Sequence, residues 1–215
     1  MASSSTRDRI LVLIQSRDSE TVTGLAAEFS LAPATIRRHL DILQRDGLVT
    51  FTEVRRGTGR PEFSFSLTER GHETRPRHYS QMLGKLISKL ASLGPESLTD
   101  RNGKQLLDNV LKDIARESVD QHGVNGAGIA SLIDVLRDQD FAPVVGEDNG
   151  QISISLMNCP FRSVAINNPE LCTYDTAVIS AVVTAPVERV ACLTHGDPFC
   201  KYLILNESGK QDPDR

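Results

Sequence analysis

The stretch from Pro33 to Gly47 leaves little choice of conformation. Proline is well placed at the first position of a helix, where its missing N–H costs nothing. Ile36, Leu40 and Leu43 then recur at i, i+4 and i+7, one face of a helix, and Gly47 suits the residue that closes it. Thr35, Arg37, Arg38, Asp41, Gln44 and Arg45 are left on the other faces. The single apolar edge has to be buried by neighbouring elements.

The flanking sequence supplies them. Ile10, Leu11, Leu13 and Ile14 mark an earlier helix started by Ser5 or Thr6, and Thr21 can cap a second short one carrying Leu25, Ala26 and Phe29 inward. Ser30-Leu31-Ala32 makes a tight turn into the third. Beyond Gly47, Leu48 to Val54 and then Phe63, Phe65 and Leu67 alternate as two strands around a basic, glycine-rich tip, Arg55 to Pro61. Thr68 caps a further helix with Glu69 in its first turn. Helix, helix–turn–helix, hairpin is the order of a winged helix.

In that fold the third helix enters the major groove of double-stranded DNA. Thr35, Arg37 and Arg38 are then the expected readers, and Arg55, Arg56 and Arg60 the expected contacts to phosphates or the minor groove. Charge agrees: residues 1–78 carry twelve Arg and no Lys against ten acids, a balance of +2, while residues 79–215 balance at −6. Arginine forks onto phosphates and guanine edges better than lysine does. The alternative is a protein-interaction module with Arg37 and Arg38 as a solvated face, and the arginines of the tip weigh against it.

At 215 residues the chain suits two modest domains with a link between them. The expected division is a winged-helix domain over 1–78, a dimerisation helix over 79–94 and an α+β sensor domain over 95–215. Tyr79, Leu83, Leu86, Leu90 and Leu93 recur at spacings of four, three, four and three, a seam that would pair two copies into a homodimer. The other reading is an amphipathic helix packed on its own chain. Further on, Leu106 to Val119 and Ile129 to Leu136 read as helices. A hairpin is expected over Phe141 to Val145 and Ile152 to Met157 with its turn at 146–150. A helix over 169–183 and two strands, Val187 to Thr194 and Phe199 to Leu205, complete the domain.

All four cysteines lie in this second half: Cys159, Cys172, Cys192 and Cys200, after 158 residues with none. No apolar run approaches membrane-spanning length, and the first residues lack the build of a secretory signal, so the expected location is the cytoplasm. Thiols there are mostly reduced, which favours a metal centre over disulfides. Zinc sites usually show paired short spacings, and none occurs here. An iron–sulfur cluster needs several thiolates brought together. Cys172, near a helix start, is expected to favour the thiolate form. Cys192 sits in the apolar run Val190-Ala191-Cys192-Leu193 and best fits a buried small residue.

Several motifs together are similar to a known family. Thr35-Ile36-Arg37-Arg38-His39-Leu40, Asp46-Gly47-Leu48-Val49, Gly59-Arg60-Pro61, Leu67-Thr68-Glu69-Arg70-Gly71 and Pro76-Arg77-His78-Tyr79 resemble the SufR group of winged-helix regulators. Asn158-Cys159-Pro160-Phe161, Pro169-Glu170-Leu171-Cys172, and Gly196-Asp197 followed by Cys200 continue the resemblance. The spacing of twelve residues between Cys159 and Cys172, and twenty-seven between Cys172 and Cys200, is its most specific part.

The resemblance implies a homodimeric repressor of iron–sulfur cluster assembly genes. It implies one [4Fe–4S] cluster per subunit, held by Cys159, Cys172 and Cys200, with DNA released when the cluster is lost or oxidised. Two departures stand out. Ala32 replaces the serine common before the recognition-helix proline, and Cys192 has no place in the family spacing. If three cysteines bind, the fourth iron needs another group: His195 and Cys192 are candidates, with Asp197, Glu170 and a solvent or thiol ligand behind them. Two other regulator classes are open, a metal-free thiol redox switch and a sensor of zinc or a small ligand. No phosphate loop, dinucleotide fingerprint or nucleophile elbow points to an enzyme.

Overall fold

Ser5 starts the first helix through a reciprocal cap: its Oγ accepts from the Asp8 N–H at 3.2 Å, and Asp8 Oδ2 accepts from the Ser5 N–H at 3.0 Å. The computed structural model describes residues 5–54, 62–74, 77–98, 101–124 and 128–205. It divides into two units, 1–76 and 77–215.

In the first unit α1 (Thr6–Arg17) is followed by a short strand, β1 (Ser19–Thr21), and by α2 (Val22–Phe29). Thr21 Oγ1 caps α2 by accepting from the Gly24 N–H at 3.1 Å. Ser30, at φ 52, turns the chain into α3 (Pro33–Arg45), whose N-cap Ala32 makes no side-chain hydrogen bond. Gly47, at φ +72, closes α3 in the left-handed conformation, and the Leu48 N–H bonds back to the Leu43 carbonyl at 2.8 Å. β2 (Val49–Val54) and β3 (Glu62–Leu67) pair antiparallel, and β1 adds to the far side of β3. The sequence pattern does not reveal β1, which is only three residues long. α4 (Glu69–His72) begins at Thr68, and a Cβ on Gly71 would lie 2.0 Å from the Leu48 carbonyl oxygen, so this crossing requires glycine. Ile10, Ile14, Leu25, Ile36, Leu40 and Leu43 close the core with Val49, Phe65 and Leu67.

In the second unit the helices are α5 (Tyr79–Ala91), α6 (Pro95–Leu98), α7 (Gly103–His122) and α8 (Ile129–Asp138). The hairpin β4 (Pro143–Asp148) and β5 (Gln151–Leu156) follows. Next come α9 (Arg162–Ala165), a 3₁₀ turn (Pro169–Cys172) and α10 (Thr173–Val182). β6 (Val187–Ala191), a second 3₁₀ turn (Leu193–His195) and β7 (Cys200–Ile204) complete it. The sheet is antiparallel in the order β4-β5-β7-β6, and α10 packs along α7. Ile154, Leu156, Tyr202 and Ile204 bury against Leu111, Ile114, Leu132, Leu136, Val178 and Ile179.

Several boundaries differ from the sequence reading. The strand expected over Val187 to Thr194 ends at Ala191, and Leu193–His195 turns as a 3₁₀ helix instead. The β4–β5 turn is only Asn149-Gly150, at φ 50 and 77, the paired left-handed geometry of a two-residue hairpin, so the strands run on where a five-residue turn is expected. Phe141 is not in the strand but buried ahead of it, edge-on to Phe161. The helix expected over 169–183 breaks into a 3₁₀ turn and an α-helix that meet at Cys172.

The expected seam on α5 also splits. Tyr79, Leu86 and Leu93 join buried Met82 against the core of their own unit. Leu83, Ile87 and Leu90 stand 57%, 60% and 48% exposed. These three recur at i, i+4 and i+7, so α5 is apolar on two faces, and its own fold covers only one.

Candidate functional site

In the first unit α3 buries Ile36, Leu40 and Leu43 and leaves Thr35, Arg37 and Arg38 exposed. Two other arginines are engaged within the unit. Arg9 stacks over the Phe29 ring at 4.8 Å, and Arg17 pairs with Glu20 at 2.8 Å and Glu28 at 2.7 Å. Arg55, Arg56 and Arg60 lie outside the described residues.

In the second unit all four cysteines are free thiols. Cys159 opens the loop into α9, Cys172 ends the 3₁₀ turn before α10, and Cys200 is the first residue of β7. Residues far apart in the chain thus deliver three sulfurs to one small cavity, which Cys159, Cys172 and Cys200 line together with Asp175, Phe141, Phe161, Ala165, Leu171 and Leu193. The shell is apolar, with few backbone donors aimed inward. The Leu193 N–H donates to Cys200 Sγ at 3.5 Å, and the Phe161 N–H donates to the Cys159 sulfur.

Electrostatics holds these thiols neutral. Burial, then the nearby Asp175 carboxyl, pushes Cys159 up to about 12, against the Phe161 N–H and the Arg77 guanidinium. Burial and then Asp175 drive Cys172 and Cys200 higher still. Cys172 therefore departs from expectation. Its place at a helix start favours the thiolate, but desolvation outweighs the helix end. Asp175 itself is raised to about 6 by burial, although the Tyr202 hydroxyl donates to its Oδ2 at 2.8 Å and the Arg189 charge opposes the rise.

None of the other residues considered beside the three cysteines lines this cavity, although Cys192 lies near enough to Cys172 and Cys200 to raise both thiols. Cys192 is buried but does not line the cavity, and its sulfur meets Thr194 Oγ1 at 3.1 Å. His195 is exposed in the 3₁₀ turn. Asp197 Oδ2 accepts from the Cys192 N–H at 2.7 Å, and Glu170 pairs with Lys104 at 3.4 Å. Asp175 escapes sequence reading, although it stands three residues after Cys172 and so on the same side of the helix start. Among the described residues, no three His, Cys, Asp or Glu side chains close on a point that would hold a single metal ion.

The Cys159 loop is fastened to the start of the unit. Arg77 Nη1 donates to the Cys159 carbonyl at 2.6 Å and to Asn158 Oδ1 at 3.3 Å. The His78 N–H reaches the Pro160 carbonyl at 3.5 Å, and the Tyr79 hydroxyl bonds Ser163 Oγ at 2.6 Å.

Residues 4–50 match the family described as bacterial regulatory protein, arsR family, through its helix–turn–helix. Among solved structures, the chain is similar to one titled as that of the transcriptional regulator homologue protein from Pyrococcus horikoshii OT3. That similarity is 22% identity over 40% of this chain and 83% of the other, with a TM-score of 0.29. No curated protein matches the chain. No helix among the described residues is long and apolar enough to cross a membrane. The matched segment is the DNA-binding domain of a regulator, so DNA-binding regulation, not an enzymatic reaction, is the function it carries.

Proposed function

We propose that this chain is a dimeric repressor whose hold on operator DNA is governed by an iron–sulfur cluster bound through Cys159, Cys172 and Cys200, as in the SufR group it resembles. The observation that carries the reading is the convergence of these three sulfurs, from three separate segments, on one apolar cavity. The donor set fits such a group: soft sulfur ligands, backbone N–H groups directed at two of them, and a largely apolar lining that includes Phe141 and Phe161.

When bound, the cluster supplies a cationic iron cage that cross-links its ligands and is sensitive to iron supply and oxidants. The chain's own residues give that cross-link a consequence. Ligation fixes the Cys159 loop, the start of α10 and the start of β7 with respect to one another. The Cys159 loop is bonded to Arg77, His78 and Tyr79, which directly follow the first unit in the chain and lead into α5.

Leu83, Ile87 and Leu90 on α5 form the face on which a second copy packs, because one short helix–turn–helix reads only a half-site. Thr35, Arg37 and Arg38 are the DNA-reading residues of α3, with Arg55, Arg56 and Arg60 of the hairpin tip completing a winged helix. Ligand loss in this scheme loosens the 77–79 junction and shifts the dimer away from its DNA-competent spacing.

A metal-free redox switch is less well supported, because reactive sensor thiols are exposed and acidic whereas Cys172 and Cys200 are buried and pushed toward neutrality. Anaerobic purification of the full chain tests the proposal. Iron and acid-labile sulfide in equal amounts, with visible absorbance that is lost in Cys159→Ser, Cys172→Ser and Cys200→Ser but kept in Cys192→Ser, support it. A colourless protein without iron rejects it.

A further inference from the structure

Resting on that reading, three cysteines leave one iron of a four-iron cluster without a protein thiolate. Asp175 lines the cavity of Cys159, Cys172 and Cys200, and it is only 6% exposed. Its two oxygens have different surroundings. Oδ2 is held by the Tyr202 hydroxyl at 2.8 Å, whereas Oδ1 is buried and meets no well-aligned donor, although the Asp175 and Thr176 N–H groups at the start of α10 lie beside the carboxyl. A buried carboxylate oxygen left without a partner is costly unless something positive or donating comes to it. The other candidates near the thiols are drawn away: Asp197 by the Cys192 N–H, Glu170 by Lys104, His195 by its exposure, and Cys192, close to Cys172 and Cys200 but outside the cavity lining, by Thr194 Oγ1.

We propose that Asp175 Oδ1 is the fourth ligand of the cluster, so that the site is three cysteines and one aspartate. The carboxylate would bind iron through Oδ1 while Tyr202 keeps its hydrogen bond to Oδ2 and fixes the plane of the group. Tyr202 is thus a positioning residue, and its hydroxyl is within reach of Thr176 Oγ1 at 3.3 Å. One oxygen ligand among three sulfurs makes one iron unlike the rest. That corner is harder, more easily exchanged, and the first to leave when the cluster is attacked.

The test is Mössbauer spectroscopy of the full chain loaded anaerobically with iron-57, alongside iron and sulfide assays. The wild type is expected to show one iron with oxygen-type parameters beside three thiolate-type irons. Asp175→Cys is expected to remove that distinct iron without lowering iron content. In Asp175→Ala an added small thiol is expected to convert the distinct iron to thiolate type, a change the wild type resists. A distinct iron that persists unaltered in Asp175→Cys, or resists added thiol in Asp175→Ala, overturns the assignment of Asp175 and leaves the cluster reading intact. So does a wild-type cluster with no distinct iron. Wild-type protein with neither iron nor sulfide overturns the cluster reading itself. Circular dichroism of both variants checks that the fold is retained, and if Asp175→Cys fails to fold, the thiol response of Asp175→Ala decides alone.

Discussion

Arg77 donates through Nη1 to the carbonyl oxygen of Cys159 at 2.6 Å, tying the first residue of the second unit to the backbone of a proposed cluster ligand. A hydrogen bond from a charged donor contributes about 1.5–3 kcal/mol, so this is one of the stronger single links available to a switch. Arg77→Gln keeps polarity but removes the charge and the fork. The variant is expected to bind iron and sulfide as the wild type does, while the difference in DNA affinity between cluster-loaded and cluster-free protein shrinks by about tenfold. Fluorescence anisotropy on labelled duplex, with iron assayed in the same samples, measures both.

The two faces of α5 make opposite predictions. Leu83→Asp with Ile87→Asp places charge on the exposed stripe, and the expected result is a folded monomer in analytical ultracentrifugation whose melting temperature is lower and no longer depends on protein concentration. Met82→Ala on the buried face leaves the dimer intact but is expected to cost about 2–3 kcal/mol of stability in urea unfolding.

Ala32 stands at the N-cap of α3 with φ −61 and ψ 140, the extended geometry in which a serine hydroxyl caps the following N–H groups. Ala32→Ser is therefore expected to stabilise the protein by about 0.5–1 kcal/mol, read as a rise in the urea midpoint at constant slope. The proposed DNA contacts of Thr35, Arg37 and Arg38 are left in place.

Asp175 sets a pH dependence in the protein stripped of iron. Its folded pKa is about 6, raised by burial, against the ordinary carboxyl value of about 3.9 in the unfolded chain. Between these values the folded state holds a proton that the unfolded state has lost. Stability is accordingly full below about pH 4, falls as pH rises to about 6, and is level beyond. The loss is on the order of 3 kcal/mol at about 1.4 kcal/mol per unit. Chemical denaturation of iron-free protein from pH 4 to 7 is expected to show that fall, and Asp175→Asn to abolish it.

Much of the first unit was legible in the sequence because local signals agree there. Ser5, Thr21 and Thr68 each cap the helix they promise, Gly47 takes the left-handed turn, and Ile36, Leu40 and Leu43 are the buried edge of α3. Strand β1 was not legible, since three residues carry no period and owe their conformation to β3. The four cysteines were legible as a cluster in the second half, and the choice of Cys159, Cys172 and Cys200 among them came from the family resemblance that their spacing carries. Asp175 was not, because a carboxylate in a helix looks solvated until tertiary packing buries it. The same limit governs α5: a repeat of leucines says that faces are apolar, but only the packed unit reveals that Leu86 is inside and Leu83 is out.

The central claim is that ligation of Cys159, Cys172 and Cys200 controls DNA binding, and an affinity measurement under anaerobic conditions tests it most directly. A duplex selected from a random-sequence pool by the cluster-loaded chain is titrated at fixed salt with loaded protein, chelator-stripped protein and Cys172→Ser. The account predicts tight binding for the first and affinity weaker by about a hundredfold, a coupling of about 3 kcal/mol, for the other two. Equal affinity for all three, with the cluster verified in the loaded sample, would contradict it.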